Sequence, residues 1–196
     1  TRAFVKVQDG CDNFCSYCII PYVRGSIRSK DFDTAIEEVK TLVLNGHKEV
    51  VLTGIHTGSY SSNGHDLSDL IEEMAKIPEL ERIRISSIEI TELNDKFLAL
   101  LKKEGKIANH LHIPLQSGSD TVLKRMNRKY DTAYFREKIA KIREIRPDIS
   151  ITTDCIVGHP YESDACFLEY VDFCREMKFA KMHVFPYSLR SGTAAS

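Results

Sequence analysis

The stretch "AFVKVQDGCDNFCSYC" (residues 3–18) joins a short strand pattern to a loop that holds three cysteines. Apolar and β-branched residues in 3–8 predict a strand, and the Asp, Gly and Asn residues that follow predict a loop. Cys11, Cys15 and Cys18 have the spacing Cys-x-x-x-Cys-x-x-Cys. Active sites of parallel α/β folds lie at the carboxyl ends of the strands, so this loop is expected at such a site.

The rest of the chain repeats the order of a short strand, a turn and a polar helix. The expected strands are 3–8, 49–54, 82–87, 110–116, 149–158 and 180–188. The expected helices are 33–46, with Asp33 as its N-cap, 67–77, 94–105, 119–126, 132–145 and 163–178. Strict alternation predicts βαβ units, a parallel sheet and right-handed crossovers.

Such a sheet closes either as a doubly wound open sheet or as a barrel. A doubly wound fold usually has a glycine-rich phosphate turn after its first strand, and cysteines occupy that turn here. Six units are fewer than the eight of a full barrel. We therefore predict an α/β fold of the partial (β/α)6 TIM-like barrel type, with residues 1–196 forming one domain.

Composition narrows the class of protein. The 196 residues are 42% hydrophobic and 28% charged, which is typical of a globular domain whose core needs no disulfides. The net charge of −1 excludes a global basic field for nucleic acid. Six unevenly placed cysteines do not resemble an extracellular disulfide framework, and they favour a reducing cytoplasm. We find no signal peptide and no apolar run of transmembrane length.

Three interpretations of the cysteine loop are open from spacing alone. Three thiolates can hold an iron–sulfur cluster and leave one iron without a protein ligand. A zinc site would need a fourth ligand such as His56, His110 or His112, although structural zinc ligands usually come as two separated pairs. Inert buried thiols are the third interpretation, but they rarely cluster on a polar loop.

Further residues give the loop a family resemblance. With Tyr17 before the last cysteine, the motif resembles the signature of the radical S-adenosylmethionine (radical SAM) superfamily. Other stretches resemble its methylthiotransferase branch, and "LTGIHTGSY" and "SSIEITELND" are most similar to the enzymes that methylthiolate N6-threonylcarbamoyladenosine in tRNA. The stretches shared with that branch are "QDGCDNFCSYCIIPYVRGSIRS", "LTGIHTGSY", "HIPLQSGSDTVLKRMNRKY" and "TTDCIVGHPYES".

The resemblance implies cofactors and a reaction. Cys11, Cys15 and Cys18 would hold a [4Fe-4S] cluster whose open iron binds SAM. Reductive cleavage would give a 5′-deoxyadenosyl radical, and C2 of the modified adenosine would be methylthiolated. Sister groups act on isopentenyladenosine in tRNA or on a ribosomal protein.

The resemblance also implies partners and missing parts. The expected partners are tRNA and an electron donor such as flavodoxin or ferredoxin, with a cytoplasmic, monomeric enzyme and no membrane. This chain would be the radical SAM core alone, without the N-terminal second-cluster domain and the C-terminal RNA-binding domain of full-length relatives.

By the same resemblance, SAM contacts are expected at the strand ends. They are Tyr17, Gly54, Ser87, Glu89, Gln116, Ser117, Arg128, Ile156, Gly158 and Phe185. Several of these residues also have ordinary interpretations. Gly54 could simply end its strand, and Ser87 and Glu89 could cap a helix or face solvent. Arg128 could be a solvated side chain at a helix end, and Phe185 could belong to the core.

One segment departs from the family pattern. Relatives usually read Gly-Phe-Pro-Gly-Glu after the fifth strand, whereas His159 and Tyr161 replace Phe and Gly here. If the glycine position requires a positive φ, Tyr161 is strained there. The adenine pocket is expected to differ accordingly.

The remaining titratable residues have ordinary explanations as well as functional ones. His110 and His112 share one strand face, which fits a metal pair or, more commonly, side chains that fill the barrel. Cys155, Cys166 and Cys174 are expected to be small buried hydrophobes. Arg24, Arg28 and Lys30 follow the cysteine loop and are candidates to meet RNA, more so than the basic run 124–146, which fits a solvated helix face.

Two other function classes stand beside the enzyme. A zinc-stabilised RNA-binding module would use the cysteines without chemistry. A barrel hydrolase would carry them incidentally, but the sequence has no Gly-x-Ser-x-Gly elbow and no paired catalytic carboxylates to support it.

Overall fold

The computed structural model describes residues 2–196, which form ten strands and seven helices. The strands are β1 (Arg2–Lys6), β2 (Gln8–Asp9), β3 (Arg28–Ser29), β4 (Glu49–Thr53), β5 (Ser61–Ser62), β6 (His65–Asp66), β7 (Arg82–Ile85), β8 (His110–His112), β9 (Ser150–Val157) and β10 (Lys181–Pro186). The helices are α1 (Ile20–Arg24), α2 (Phe32–Leu44), α3 (Leu67–Ala75), α4 (Asp95–Lys103), α5 (Asp120–Arg125), α6 (Thr132–Ile145) and α7 (Asp164–Met177).

Six of the strands build the parallel sheet. β1, β4 and β7 pair side by side, and β8, β9 and β10 do the same. The two halves meet through a parallel bridge between Ile83 and Ile107 and a hydrogen bond from Ile88 N to His112 O of 3.0 Å. Spatial order therefore equals chain order, and the predicted partial βα barrel is confirmed.

Alternation along the strands separates the core from the inner face of the sheet. β1 alternates exposed and buried residues, and Val5 is fully buried against the helix layer. Helix α2 contributes Val39 and Val43 to the same core. Because side chains alternate between faces, the other residues of each strand point to the inner face, which carries many polar groups.

Several predicted boundaries differ from the structure for identifiable reasons. Strand β8 ends at His112 rather than at residue 116, since Pro114 has no N–H for the ladder, and pairing resumes as a bridge between Gln116 and Cys155. Helix α2 begins at Phe32, and its N-cap is Asp31 instead of Asp33, because the Asp31 carboxylate accepts from Thr34 N. Among residues 2–196, no helix has the length and apolar character needed to cross a membrane.

Candidate functional site at the cysteine loop

Two short strands anchor the cysteine loop at the carboxyl end of β1. β2 pairs with β3 across the base of the loop, and Cys11 N donates to Gly25 O at 3.1 Å. Gly10 has a φ of +77°, and a Cβ there would lie 2.1 Å from Ser26 O. Only glycine fits this position, so the turn that starts the loop is fixed by sequence.

The three thiols of the loop lie in one cavity. All are free and partly exposed, and they line a space of about 220 Å³ with residues from the ends of β4, β7 and β8. Burial raises the pKa of the Cys18 thiol, and the neighbouring Cys15 and Cys11 raise it further. A bound cation would offset this cost of ionising clustered thiols, so the donors suit a metal centre.

Arg128 forms the floor of this cavity. Its side chain is only 4% exposed, so it is not the solvated arginine that its place near a helix end allowed. The guanidinium pairs with the Glu89 carboxylate and lies 3.3 Å from Cys15 Sγ. Burial lowers the pKa of Arg128, but Tyr130 and Glu89 outweigh it and raise the value, so the group stays cationic.

The structure brings five of the ten predicted SAM-contact residues into the cavity wall. Those five are Tyr17, Ser87, Glu89, Gln116 and Arg128. Burial raises the pKa of the Tyr17 hydroxyl strongly, so this ring remains neutral. Gln116 has a φ of +68°, and its backbone carbonyl accepts hydrogen bonds from Ile156 N at 2.9 Å and from Tyr170 Oη at 3.0 Å.

The other five predicted residues do not line this cavity. Gly54 packs so closely that a Cβ would lie 2.8 Å from Gln8 Oε1, and Ser117 is fully buried, with Oγ accepting from Ser119 N at 3.2 Å. Ile156, Gly158 and Phe185 lie at the ends of β9 and β10. Gly158 has open space around it, and Phe185 is half-exposed rather than core.

His159 and Tyr161 occupy different environments. Tyr161 has the positive φ of +68° that the sequence comparison anticipated, and its exposed ring lies 4.7 Å from the Arg125 guanidinium. His159 is buried, with Nε2 3.3 Å from Ser16 Oγ and its ring edge-on to Tyr17. His159 therefore connects the loop after β9 to the cysteine loop.

Sequence reasoning missed two supports of the cavity. Gln8 donates to Gly10 O at 2.7 Å and accepts from His56 N at 2.7 Å, so one buried amide joins the cysteine loop to the loop after β4. His56 Nε2 lies 2.6 Å from Glu92 Oε1. Burial lowers the pKa of His56, yet Cys11 and Glu92 outweigh it and raise the value to about 10. Gly58 leaves space for the His56–Glu92 pair, because a Cβ at that position would lie 2.0 Å from the Glu92 side chain.

Other predictions are corrected outside the cavity. Cys155 is buried as expected, but Cys166 and Cys174 are partly exposed. Arg24 and Arg28 lie near Asp9, and Lys30 pairs with Glu38, so part of the basic charge after the loop is compensated. His110 and His112 both contact Thr152 Oγ1 of β9, at 3.0 and 2.9 Å.

Fold and site together define a βα-barrel protein with three free cysteine thiols gathered in one cavity at the mouth of its sheet. The sequence profile of the Radical SAM superfamily matches residues 5–174. The chain belongs to the Radical SAM superfamily.

Curated relatives are similar over the whole chain. The Threonylcarbamoyladenosine tRNA methylthiotransferase MtaB of Bacillus subtilis is 48% identical over 202 residues, which cover 100% of this chain and 44% of that protein. The tRNA-2-methylthio-N(6)-dimethylallyladenosine synthase of Acetivibrio thermocellus is 42% identical, covering 100% of this chain and 41% of that protein. The chain thus spans somewhat under half the length of these relatives.

Solved structures share the fold at low identity. The radical S-adenosylmethionine methyltransferase TsrM from Kitasatospora setae, solved with cobalamin and a [4Fe-4S] cluster, aligns with a TM-score of 0.81 at 16% identity, covering 98% of this chain and 38% of that one. Coproporphyrinogen III oxidase (HemN) from Escherichia coli, described as a radical SAM enzyme, aligns with a TM-score of 0.69 at 19% identity, covering 98% and 45%.

Proposed function

We propose that the chain is the radical SAM core of a tRNA methylthiotransferase that modifies N6-threonylcarbamoyladenosine at C2. The observation that carries this proposal is the three free thiols in one cavity beside the buried Arg128–Glu89 pair. Relatives from Bacillus subtilis and Thermotoga maritima, both named threonylcarbamoyladenosine tRNA methylthiotransferases, support the substrate at 48% and 44% identity.

Cys11, Cys15 and Cys18 would hold a [4Fe-4S] cluster, since their free thiols line one cavity. The cofactor pair, when bound, supplies a 5′-deoxyadenosyl radical by reductive cleavage of SAM. The protein's contribution is positioning: Arg128 keeps a cation against Cys15, and Tyr17 provides a neutral aromatic wall.

The SAM-binding assignment divides into two groups. For Tyr17, Ser87, Glu89, Gln116 and Arg128, shared lining of the cysteine cavity supports it. For Gly54, Ser117, Ile156, Gly158 and Phe185, the assignment rests on the family resemblance alone. A ligand as long as SAM would have to reach beyond the cysteine cavity to touch the ends of β9 and β10.

The proposal includes the setting of the enzyme. Residues 1–196 would be the core domain of a longer monomeric protein, whose remaining domains supply the second cluster and RNA binding. The cytoplasm, tRNA and a flavodoxin- or ferredoxin-like electron donor complete the reaction. All six cysteines are free thiols, in agreement with a reducing compartment.

A second substrate has its own support. The relative from Acetivibrio thermocellus named for dimethylallyladenosine is 42% identical, only a few per cent below the threonylcarbamoyladenosine enzymes. Isopentenyladenosine tRNA is therefore the alternative substrate.

Anaerobic reconstitution with iron and sulfide tests the proposal. We expect about four irons per chain, a brown chromophore and release of 5′-deoxyadenosine from SAM after reduction. Cys15→Ala should abolish all three, whereas Cys174→Ala, which removes a partly exposed thiol on α7, should retain all three. One zinc per chain that is lost in Cys15→Ala, without SAM cleavage, would contradict the proposal. The full-length protein, assayed on tRNAs bearing each modified adenosine, then separates the two substrates.

A further inference from the structure

A second group of potential metal ligands lies on the sheet itself, on β8, β9 and β10. The ligand atoms of His112, Asp154 and His183 all lie within 4.8 Å of one another. His183 is the register partner of Asp154, and His112 is the partner of Thr152, two residues earlier on β9. Because side chains two apart on a strand share a face, the register brings all three to the same face of the sheet.

The distances within the group suit a single ion. His112 Nε2 lies 3.2 Å from Asp154 Oδ2, and His183 Nδ1 lies 3.1 Å from Asp154 Oδ1. Nitrogen and oxygen ligands about 2.0–2.1 Å from a tetrahedral zinc ion would be roughly 3.3–3.4 Å apart. Small side-chain movements would therefore convert these two contacts into coordination bonds.

A neighbouring hydroxyl orients one of the imidazoles. Thr152 Oγ1 lies 2.9 Å from His112 Nδ1, which leaves Nε2 directed at Asp154. Metal-binding histidines commonly have the second ring nitrogen held by such a partner. His110 contacts the same hydroxyl at 3.0 Å from its other side, so Thr152 is fixed by two rings.

Donor chemistry and accessibility also suit a cation. The two oxygens of the Asp154 carboxylate face His112 Nε2 and His183 Nδ1, so the group combines an oxygen donor with two nitrogen donors. The three side chains are partly exposed, at 13%, 29% and 42% for His112, Asp154 and His183, which leaves an entry path. Two imidazoles and a carboxylate are the donor set of many catalytic zinc and non-haem iron sites.

We propose that His112, Asp154 and His183 bind one divalent transition-metal ion of the zinc and ferrous class, at a site distinct from the cysteine loop. Three protein ligands leave at least one coordination position for a water or another oxygen donor. The site lies close to the cysteine cavity, since Pro114, two residues after His112, lines that cavity. An ion here is positioned to bind an oxygen of whatever molecule enters the barrel.

Cobalt(II) titration of a Cys11→Ala, Cys15→Ala, Cys18→Ala chain tests the site without competition from the loop thiols. We expect one Co²⁺ per chain, with visible d–d bands and no sulfur-to-cobalt charge-transfer band. Asp154→Asn and His183→Ala should each weaken binding at least about tenfold. His183 is partly exposed on a strand paired on one side, so its replacement leaves the fold intact, which circular dichroism would verify.

His65→Gln is the matched control, because this exposed histidine lies beside Asp69 on another part of the surface. Its Co²⁺ affinity should equal that of the parent. In the cluster-reconstituted chain with its cysteines intact, elemental analysis after Zn²⁺ addition should find one zinc besides the iron, and none in His183→Ala. Absence of Co²⁺ binding in the cysteine-free chain, or equal affinity in the Asp154→Asn and His183→Ala variants, would overturn the proposal.

Discussion

The cysteine loop and the loop after β9 both turn at the carboxyl end of the sheet, but they tolerate different residues. Gly10 opens the first loop where a Cβ would lie 2.1 Å from a backbone oxygen. Tyr161 occupies the second loop at a comparable positive φ of +68°, with its ring exposed. A left-handed backbone costs a non-glycine residue about 1–2 kcal/mol, whereas a backbone clash leaves no alternative to glycine. The space around the Cβ, more than the φ angle, therefore decides whether a position requires glycine.

The largest effect should come from the buried Arg128–Glu89 ion pair beneath the cysteine loop, whereas the charge beside the second loop, Arg125, contacts an exposed ring. Arg128→Met leaves the Glu89 carboxylate without its partner, and losing one member of a buried pair costs about 3–5 kcal/mol. Urea unfolding would measure this loss. Arg136→Met is the control, since its pair with Glu176 is about half-exposed on both sides and should contribute at most about 1 kcal/mol. Equal losses in the two variants would contradict the role assigned to burial.

Two glycines at positive φ sharpen the comparison directly. Gly10→Ala should destabilise the chain by more than about 3 kcal/mol and lower its iron content, because left-handed strain adds to displaced backbone. Gly46→Ala, at a φ of +87° with no atom within 4 Å of its Cβ, should cost only about 1–2 kcal/mol and leave iron content unchanged. Thermal unfolding and iron analysis would compare them. Similar losses of stability in the two variants would show that the φ angle alone, and not the space around the Cβ, sets the cost of replacing glycine.

Replacement of Tyr161 tests the loop after β9, which accepts a non-glycine residue at a positive φ. Tyr161→Gly should be about 1 kcal/mol more stable than Tyr161→Ala, because only glycine relieves the left-handed strain. Both variants lose the contact with Arg125, so the difference between them isolates the backbone. An alanine variant as stable as the glycine variant in thermal unfolding would remove the strain argument.

The smallest effect is a pH dependence at His159, where the two loops touch. Burial lowers the pKa of His159 below the ordinary value of 6.5, so protonation favours the unfolded chain. Its contribution to stability is present above pH 6.5 and declines as the pH falls below that value. His159→Phe should reduce the acid-side decline in unfolding free energy, while His110, whose pKa burial also lowers, keeps its own share. An unchanged pH profile would contradict this account.

These comparisons also show which features the sequence could predict. The six-stranded barrel and the cysteine loop rest on local signals, namely periodicity, turn residues and three thiols within eight positions. Gln8 and the His56–Glu92 pair connect separate strand ends, so no local pattern reveals them. His112, Asp154 and His183 meet only through the register of β8, β9 and β10, whereas the sequence alone showed only that His110 and His112 share a strand face.

Boundaries failed where side-chain chemistry overrode periodicity. Pro114 ended β8 early, and Asp31, rather than Asp33, capped α2. Five of the ten SAM contacts predicted from resemblance line the cysteine cavity. The other five stay predictions, because a molecule of the length of SAM would extend beyond that cavity.

The tethers of the cysteine loop set an order on its assembly during synthesis. Each strand of the sheet pairs with the next in the chain, so the barrel can grow one unit at a time from the N-terminus. Besides the early β2–β3 pair, the loop is held by groups that emerge much later: Asn127 donates to Phe14 O across 113 positions, and Ser16 N donates to Met126 O. The three thiols are therefore translated well before all the residues that hold their loop, and the loop reaches its final hydrogen bonding only after β8 and α5 have been made.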